Sequence, residues 1–248
     1  MIFRTPDDLT MLRRSVSSLV AALSAWAAAA TAAAAPGDRP ARLEVWDLPL
    51  GASFEQLPDE FIDYACGTNG GPPGMPLAGW REARRCRPET GGLREVYFRY
   101  DDELEYWAKA NNLLQQMAQY SGTKTYGFPV TVSALIDEGG TLRGIRLVSD
   151  PRGDSQNRDE AYLLRNFLTA RFGRDDWTCE TLPPEEGETP VDGIFVKERC
   201  RKDIGGAAAA LLTRHLRKAG QSPIDPRTGR ETTGQFESVV RFELVRGK

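Results

Sequence analysis

The chain has 248 residues and a formal net charge of −3, with 32 Lys and Arg against 35 Asp and Glu. That length suits one large domain or two small ones. The two signs of charge are interspersed, so no basic stripe tracks nucleic-acid phosphates, and beyond residue 35 no segment is apolar enough to enter a bilayer.

The N-terminus reads as an export signal. Arg13-Arg14 precede an uncharged, Ala-rich run from Ser15 to Ala35, which ends in small residues suited to an A-x-A cleavage site at Ala32/Ala34 or Ala33/Ala35. Asp7 and Asp8 place acid where such a signal needs base, so Met11 is the expected start. Ala is only weakly apolar, Ser24 and Thr31 interrupt the run, and Pro36-Gly37-Asp38 end it, which favours cleavage over retention as an anchor. No cysteine lies at the cleavage site, so a lipid anchor is not expected. The sequence thus divides into a signal peptide (1–35), a linker (36–41), an N-terminal α+β module (42–150) and a C-terminal α+β module (151–248).

After the linker, Arg42–Leu48 has the alternation of a short strand, and Pro49 and Gly51 turn the chain. Ser53 to Gln56 has capping-box spacing, and the helix it suggests is best placed at Asp59–Ala65, stopped near Gly67. Cys66–Gly92 is too rich in Gly and Pro for a regular element. Leu93–Tyr100 alternates as a half-buried strand, and an amphipathic helix follows from Asp102 to Gly122. Phe128–Ile136 and Leu142–Ser149 flank Asp137-Glu138-Gly139-Gly140, a strong hairpin signal. Asp159–Phe172 is an amphipathic helix with Gly173 as its stop. Trp177–Leu182 and Gly193–Cys200 are short strands around a Pro/Glu-rich loop. Ala207–Lys218 has helical propensity, with a strand as the alternative, and Phe236–Val245 closes as a strand. The mixed order of helices and strands predicts an α+β fold with antiparallel sheets and helices packed on one face, with tandem similar modules as a further expectation.

Export makes the four cysteines disulfide halves rather than metal or redox ligands. Four cysteines allow three connectivities. Near-equal local spacing favours Cys66–Cys86 and Cys179–Cys200, each stabilising the fold by roughly 3 kcal/mol on loop-entropy reasoning.

The segment Leu48-Pro49-Leu50-Gly51-Ala52-Ser53-Phe54, followed by a Gly-capped helix and antiparallel strands, resembles small envelope modules of the SmpA/BamE type over residues 48–150. The resemblance implies a helix layer on a small antiparallel sheet and a non-enzymatic envelope role. This chain departs from that pattern in its length, its long 66–92 loop and its lack of a lipobox cysteine, so no functional residue carries over.

The chemistry-bearing constellations are sparse. Asp101, Asp102, Glu103 and Glu105 read as favourable charge in the first turn of a helix rather than as a metal or acid/base site. Asp150, Asp154 and Asp159 lack calcium-loop spacing. Trp46, Tyr97, Trp107 and Tyr126 read as core before they read as a sugar platform. His215, flanked by Arg214 and Arg217, is expected at a solvated surface. The stapled 66–92 loop supplies the candidate binding residues Asn69, Trp80 and Arg81. No catalytic residue, metal site or cofactor is expected. The reading that results is a soluble periplasmic or secreted binding or scaffolding module whose partner is another envelope protein or component. The alternative is a carboxylate-dependent envelope hydrolase using Asp102 with Glu105 or Asp150.

Overall fold

The computed structural model describes residues 44–59, 61–100, 107, 110–113, 123–152, 158–222, 224, 229 and 235–247. The expected signal peptide and linker lie outside the described residues, as do Asp101, Asp102, Glu103, Glu105, Asp154 and most of the 102–122 helix. Glu44–Lys248 form one compact unit.

The fold is mostly β. Nine strands form one antiparallel sheet: β1 (Phe61–Cys66), β2 (Arg94–Tyr100), β3 (Lys124–Thr125), β4 (Phe128–Ile136), β5 (Leu142–Ser149), β6 (Thr178–Thr181), β7 (Val196–Ile204), β8 (Ala207–Leu216) and β9 (Glu237–Arg246). Their spatial order is β1-β2-β4-β5-β9-β8-β7-β6, with β3 paired to β4. Among the described residues, a helix of eleven residues begins as a 3-10 turn, Ala161–Leu163, and continues as α1 (Leu164–Arg171). The antiparallel sheet with helix on one face is as expected, and among the described residues the helix content is lower than expected. Segments 42–150 and 151–248 contribute neighbouring strands to this single sheet, joined where Leu147 of β5 stands opposite Phe242 of β9.

Three expected elements take a different form. Arg42–Leu48 is described from Glu44, and there Val45–Asp47 is a 3-10 turn that buries Val45. The expected helix at Asp59–Ala65 is strand β1, which pairs with β2 through Phe61↔Tyr100 and Cys66↔Val96. Ala207–Lys218, read first as helix, is the ten-residue strand β8, which fills the gap between β7 and β9 with a complete ladder on both sides. Tertiary pairing outweighs the intrinsic helical preference of four consecutive alanines. The 128–149 hairpin forms as expected, with Gly140 N–H donating to Asp137 O across its turn.

Alternation along each strand sorts the sheet into two faces. On the first face Val96, Phe98, Val132, Leu147, Leu211 and Phe242 are all at most 1 % exposed. They are roofed by Leu164 and Leu168 of the helix, by Val45 and Leu48, and by Trp80. Aromatic contacts lock this roof: Phe172 stacks on Phe242 at 5.1 Å, and Trp46 meets both at 5.4 and 5.8 Å. The segment Leu48–Phe54 is stitched to the β4–β5 turn, where Phe54 N–H donates to Gly140 O at 2.7 Å and Leu142 N–H to Ala52 O at 2.9 Å.

The second face is polar, with Glu95, Tyr97, Ser133, Arg146, Arg241 and Glu243 side by side across β2, β4, β5 and β9. Its β2–β4–β5 part is buried beneath the 66–92 excursion, so β4 and β5 are buried on both faces over most of their length. The two sheet edges differ. Along β1 the chain at 74–77 is laid down as cover, with Cys66 N–H donating to Met75 O and Leu77 N–H to Tyr64 O. Strand β6 is a four-residue edge exposed throughout.

Candidate functional site

Both disulfides form in the expected pairing, Cys66–Cys86 and Cys179–Cys200, and no free cysteine remains. The first closes the 66–92 excursion. The second joins directly opposed residues of β6 and β7. Cys179, Glu198 and Cys200 lie close enough to suggest a metal site, but both sulfurs are in the bridge. Two disulfides are the mark of a chain that folds in an oxidising compartment outside the cytoplasm. No helix among the described residues is long and apolar enough to cross a membrane.

The structure separates the candidate residues of the 66–92 loop. Trp80 is 4 % exposed, packs edge-on against Phe61, Tyr64 and Phe98, and donates its Nε1–H to Pro58 O at 2.7 Å. It is a core anchor of the first face. Asn69 lies on the other side, its backbone N–H donating to Glu95 Oε2 at 2.7 Å. Arg81 is exposed on the 3-10 turn Trp80–Arg85. Three of the four aromatics considered as a platform are likewise dispersed: Trp46 belongs to the first face, Tyr97 to the second, and Tyr126 stacks on Phe167 at the β3–β4 turn.

His215 is buried rather than solvated, at 6 % exposure, because β8 is a strand and position 215 faces the apolar side. It packs against Tyr162 at 4.4 Å and Phe236 at 5.4 Å. Burial holds its imidazole pKa below the usual value; Asp159 and Asp192 oppose that shift without cancelling it. Its Nδ1 has no hydrogen-bond partner among the described residues. Asp150 sits in a salt bridge to Arg152 at 2.8 Å. Burial would raise its pKa, but hydrogen bonds from the Arg152 guanidinium and backbone outweigh burial and hold it low.

The second face carries the most concentrated charge. Arg146, 4 % exposed, reaches Glu89 at 2.6 Å, Glu95 at 2.8 Å and Glu243 at 2.5 Å. Burial opposes its charge, yet the three carboxylates outweigh it and raise its pKa. Glu89 is held below the usual carboxylate range, first by its hydrogen bond from Arg146. The loop reaches this cluster because two of its residues are glycine. A Cβ on Gly67 would stand 2.2 Å from Glu95 Cγ, and one on Gly70, where φ is +88°, would stand 2.6 Å from Val148 Cγ1. At the far end of the face Lys197 is also buried, bridged to Glu185 and Glu188 at 2.8 Å each. These two hydrogen bonds raise its pKa.

Between the two covered ends the face is open. A groove of about 210 Å³ runs over β8, lined by Arg199, Arg201, Ala210, Leu212, Arg241 and Glu243. Register explains its shape. Ala210 stands between Arg201 and Glu243, and Leu212 between Arg199 and Arg241. Small side chains on the middle strand thus leave a trough between charged walls. Arg241 is paired to Glu243 at 2.6 Å. Arg199 and Arg201 are exposed and have no ion pair or hydrogen bond among the described residues. Sequence reading overlooked this group. Its signal is the i, i+2 spacing of Arg199/Arg201 and Arg241/Glu243, which puts each pair on one face of a strand.

No family model, no curated protein and no solved structure matches this chain.

Proposed function

We propose that the protein is an exported, non-enzymatic binding module of the cell envelope, acting in the periplasm or beyond it, and that it engages its partner through the open part of the polar sheet face. One observation carries this reading. Among the described residues, cover over that face stops short of β8, where Ala208 is exposed, and Arg199 and Arg201 on β7 have no internal partner. Elsewhere on the same face Arg146 and Lys197 are enclosed and paired. Exposed arginines around a trough are suited to recognition when nothing among the described residues uses them. The two disulfides support the exported location.

The carboxylate-hydrolase reading draws less support. It needs two converging acids, one with a raised pKa, and Asp150 is held low by Arg152.

Site-specific photo-crosslinking in exporting cells tests the binding reading. A crosslinker at Ala208 is expected to give a discrete adduct, and one at Glu138, in the exposed β4–β5 turn, is expected to give none. No adduct from either position, or the same adducts from both, would overturn it.

A further inference from the structure

We infer that the trough over β8 is an oxyanion site, and that its ligand is a phosphate-bearing molecule with an aliphatic part. The inference rests on the binding reading above and names the chemistry of that same site. Strands β7 and β9 lie two ladder spacings apart, about 10 Å, with β8 between them. Arg199 and Arg201 line the trough from β7, and Arg241 lines it from β9, above a floor in which Ala210 adds little height. That arrangement lets guanidiniums from opposite walls meet a single anion from two sides.

The groove already holds one carboxylate, Glu243, which is engaged by Arg146 at 2.5 Å and by Arg241 at 2.6 Å. Arg146 is in turn shared with Glu89 and Glu95, so Glu89, Glu95 and Glu243 are committed to the covered half. On the open part of this face Arg199 and Arg201 have no ion pair or hydrogen bond among the described residues. Glu180 stands across from Arg199 in the β6–β7 ladder, and among the described residues no ion pair joins them. Guanidinium groups match phosphate oxygens with paired, charge-assisted hydrogen bonds. Leu212, between Arg199 and Arg241, adds an apolar contact beside the charge, suited to an alkyl chain rather than to a bare ion.

The test uses the mature, disulfide-bonded protein. Inorganic phosphate and hexyl phosphate are titrated at constant ionic strength against chloride, with backbone amide NMR signals as the readout. Saturable shifts confined to β7–β9 are expected, with hexyl phosphate binding more tightly than phosphate. The double variant Arg199→Ala/Arg201→Ala is expected to weaken binding about tenfold or more, and Arg87→Ala, at an exposed position outside the trough, to leave it unchanged. Arg199→Gln/Arg201→Gln provides a second version that keeps side-chain bulk. Vesicles of phosphatidylglycerol in phosphatidylcholine separate the sources of the phosphate. Sedimentation with them, competed by hexyl phosphate, assigns a lipid headgroup, whereas saturable binding without sedimentation assigns a soluble phosphate ester. Absence of localised shifts with both anions, or equal affinity in the double variants, would overturn the inference. An adduct from Ala208 in cells combined with that result would leave the binding reading standing and discard only the phosphate chemistry.

Discussion

The two halves of the polar sheet face use the same side chains to opposite ends. On β2, β4 and β5 an arginine is enclosed with three glutamates beneath a stapled loop, and it holds the loop to the sheet. On β7 two arginines stand in the same pleated register, with no acid joined to them and no loop above them among the described residues. Composition does not separate the two settings. Cover does: an enclosed guanidinium must be neutralised internally, and an open one is free to be neutralised by something else.

The sharpest way to break this contrast is to remove Arg146. Arg146→Met leaves the carboxylates of Glu89, Glu95 and Glu243 without their shared partner. Urea unfolding is expected to show a loss of about 3–5 kcal/mol. Adding Glu95→Gln to that variant should recover part of it, since one buried charge is then removed.

Opening the staples comes next. Replacing Cys66 and Cys86 by Ser should cost roughly 3 kcal/mol and also raise hydrogen exchange at Asn69, whose amide is held by Glu95 beneath the loop. The same change at Cys179 and Cys200 should fray β6 alone. Under mild reductant with alkylation, mass spectrometry should find Cys179 labelled before Cys86, because Cys179 is exposed and Cys86 is 3 % exposed.

A gentler probe of the cover is Gly70→Ala, which places a methyl group against Val148 in a left-handed backbone conformation. It is expected to cost about 1–3 kcal/mol by thermal or urea unfolding. His215 gives a pH-dependent effect. Its folded pKa lies below the unfolded value of 6.5, so the unfolded chain binds the proton more readily. Stability is therefore expected to be unaffected by this group above pH 6.5 and to fall as pH drops below it. His215→Phe should flatten that part of the pH profile. The smallest effect on stability belongs to Arg199→Ala/Arg201→Ala, expected within about 0.5 kcal/mol of the parent by urea unfolding. A loss comparable to that of Arg146→Met would mean that the open half is structural after all, and the contrast would collapse.

Much of the sheet was legible because its signals are local. Gly139-Gly140 between two apolar runs marks the β4–β5 hairpin, and Phe236–Val245 alternates over a whole strand. The disulfide pairing followed from spacing. Strand β8 was obscured because alanine favours helix in isolation, whereas here alanines are needed on both faces: Ala209 is buried under the first, and Ala210 forms the floor of the trough on the second. Strand β1 was obscured because its partner β2 lies beyond a long irregular loop. The placement of His215 followed the β8 error, since helix and strand put position 215 on different sides. Arg146 was hidden in a strand that otherwise reads as apolar. Its partners come from positions 89, 95 and 243, and no sequence window contains all of them. The trough has the same origin, arising from register between β7, β8 and β9.

The unequal edges of the sheet bear on how the protein behaves at high concentration. An uncovered edge strand is a template on which another chain can add. Along β1 that template is occupied by the chain's own segment at 74–77, where Pro76 bridges Ala65 and has no N–H to offer. Strand β6 is four residues long, is tied to β7 by Cys179–Cys200, and runs at once into Leu182-Pro183-Pro184, which ends the ladder. The Cys179–Cys200 bridge therefore also acts as a guard against aggregation: it keeps the short edge from peeling away and baring the longer β7 behind it.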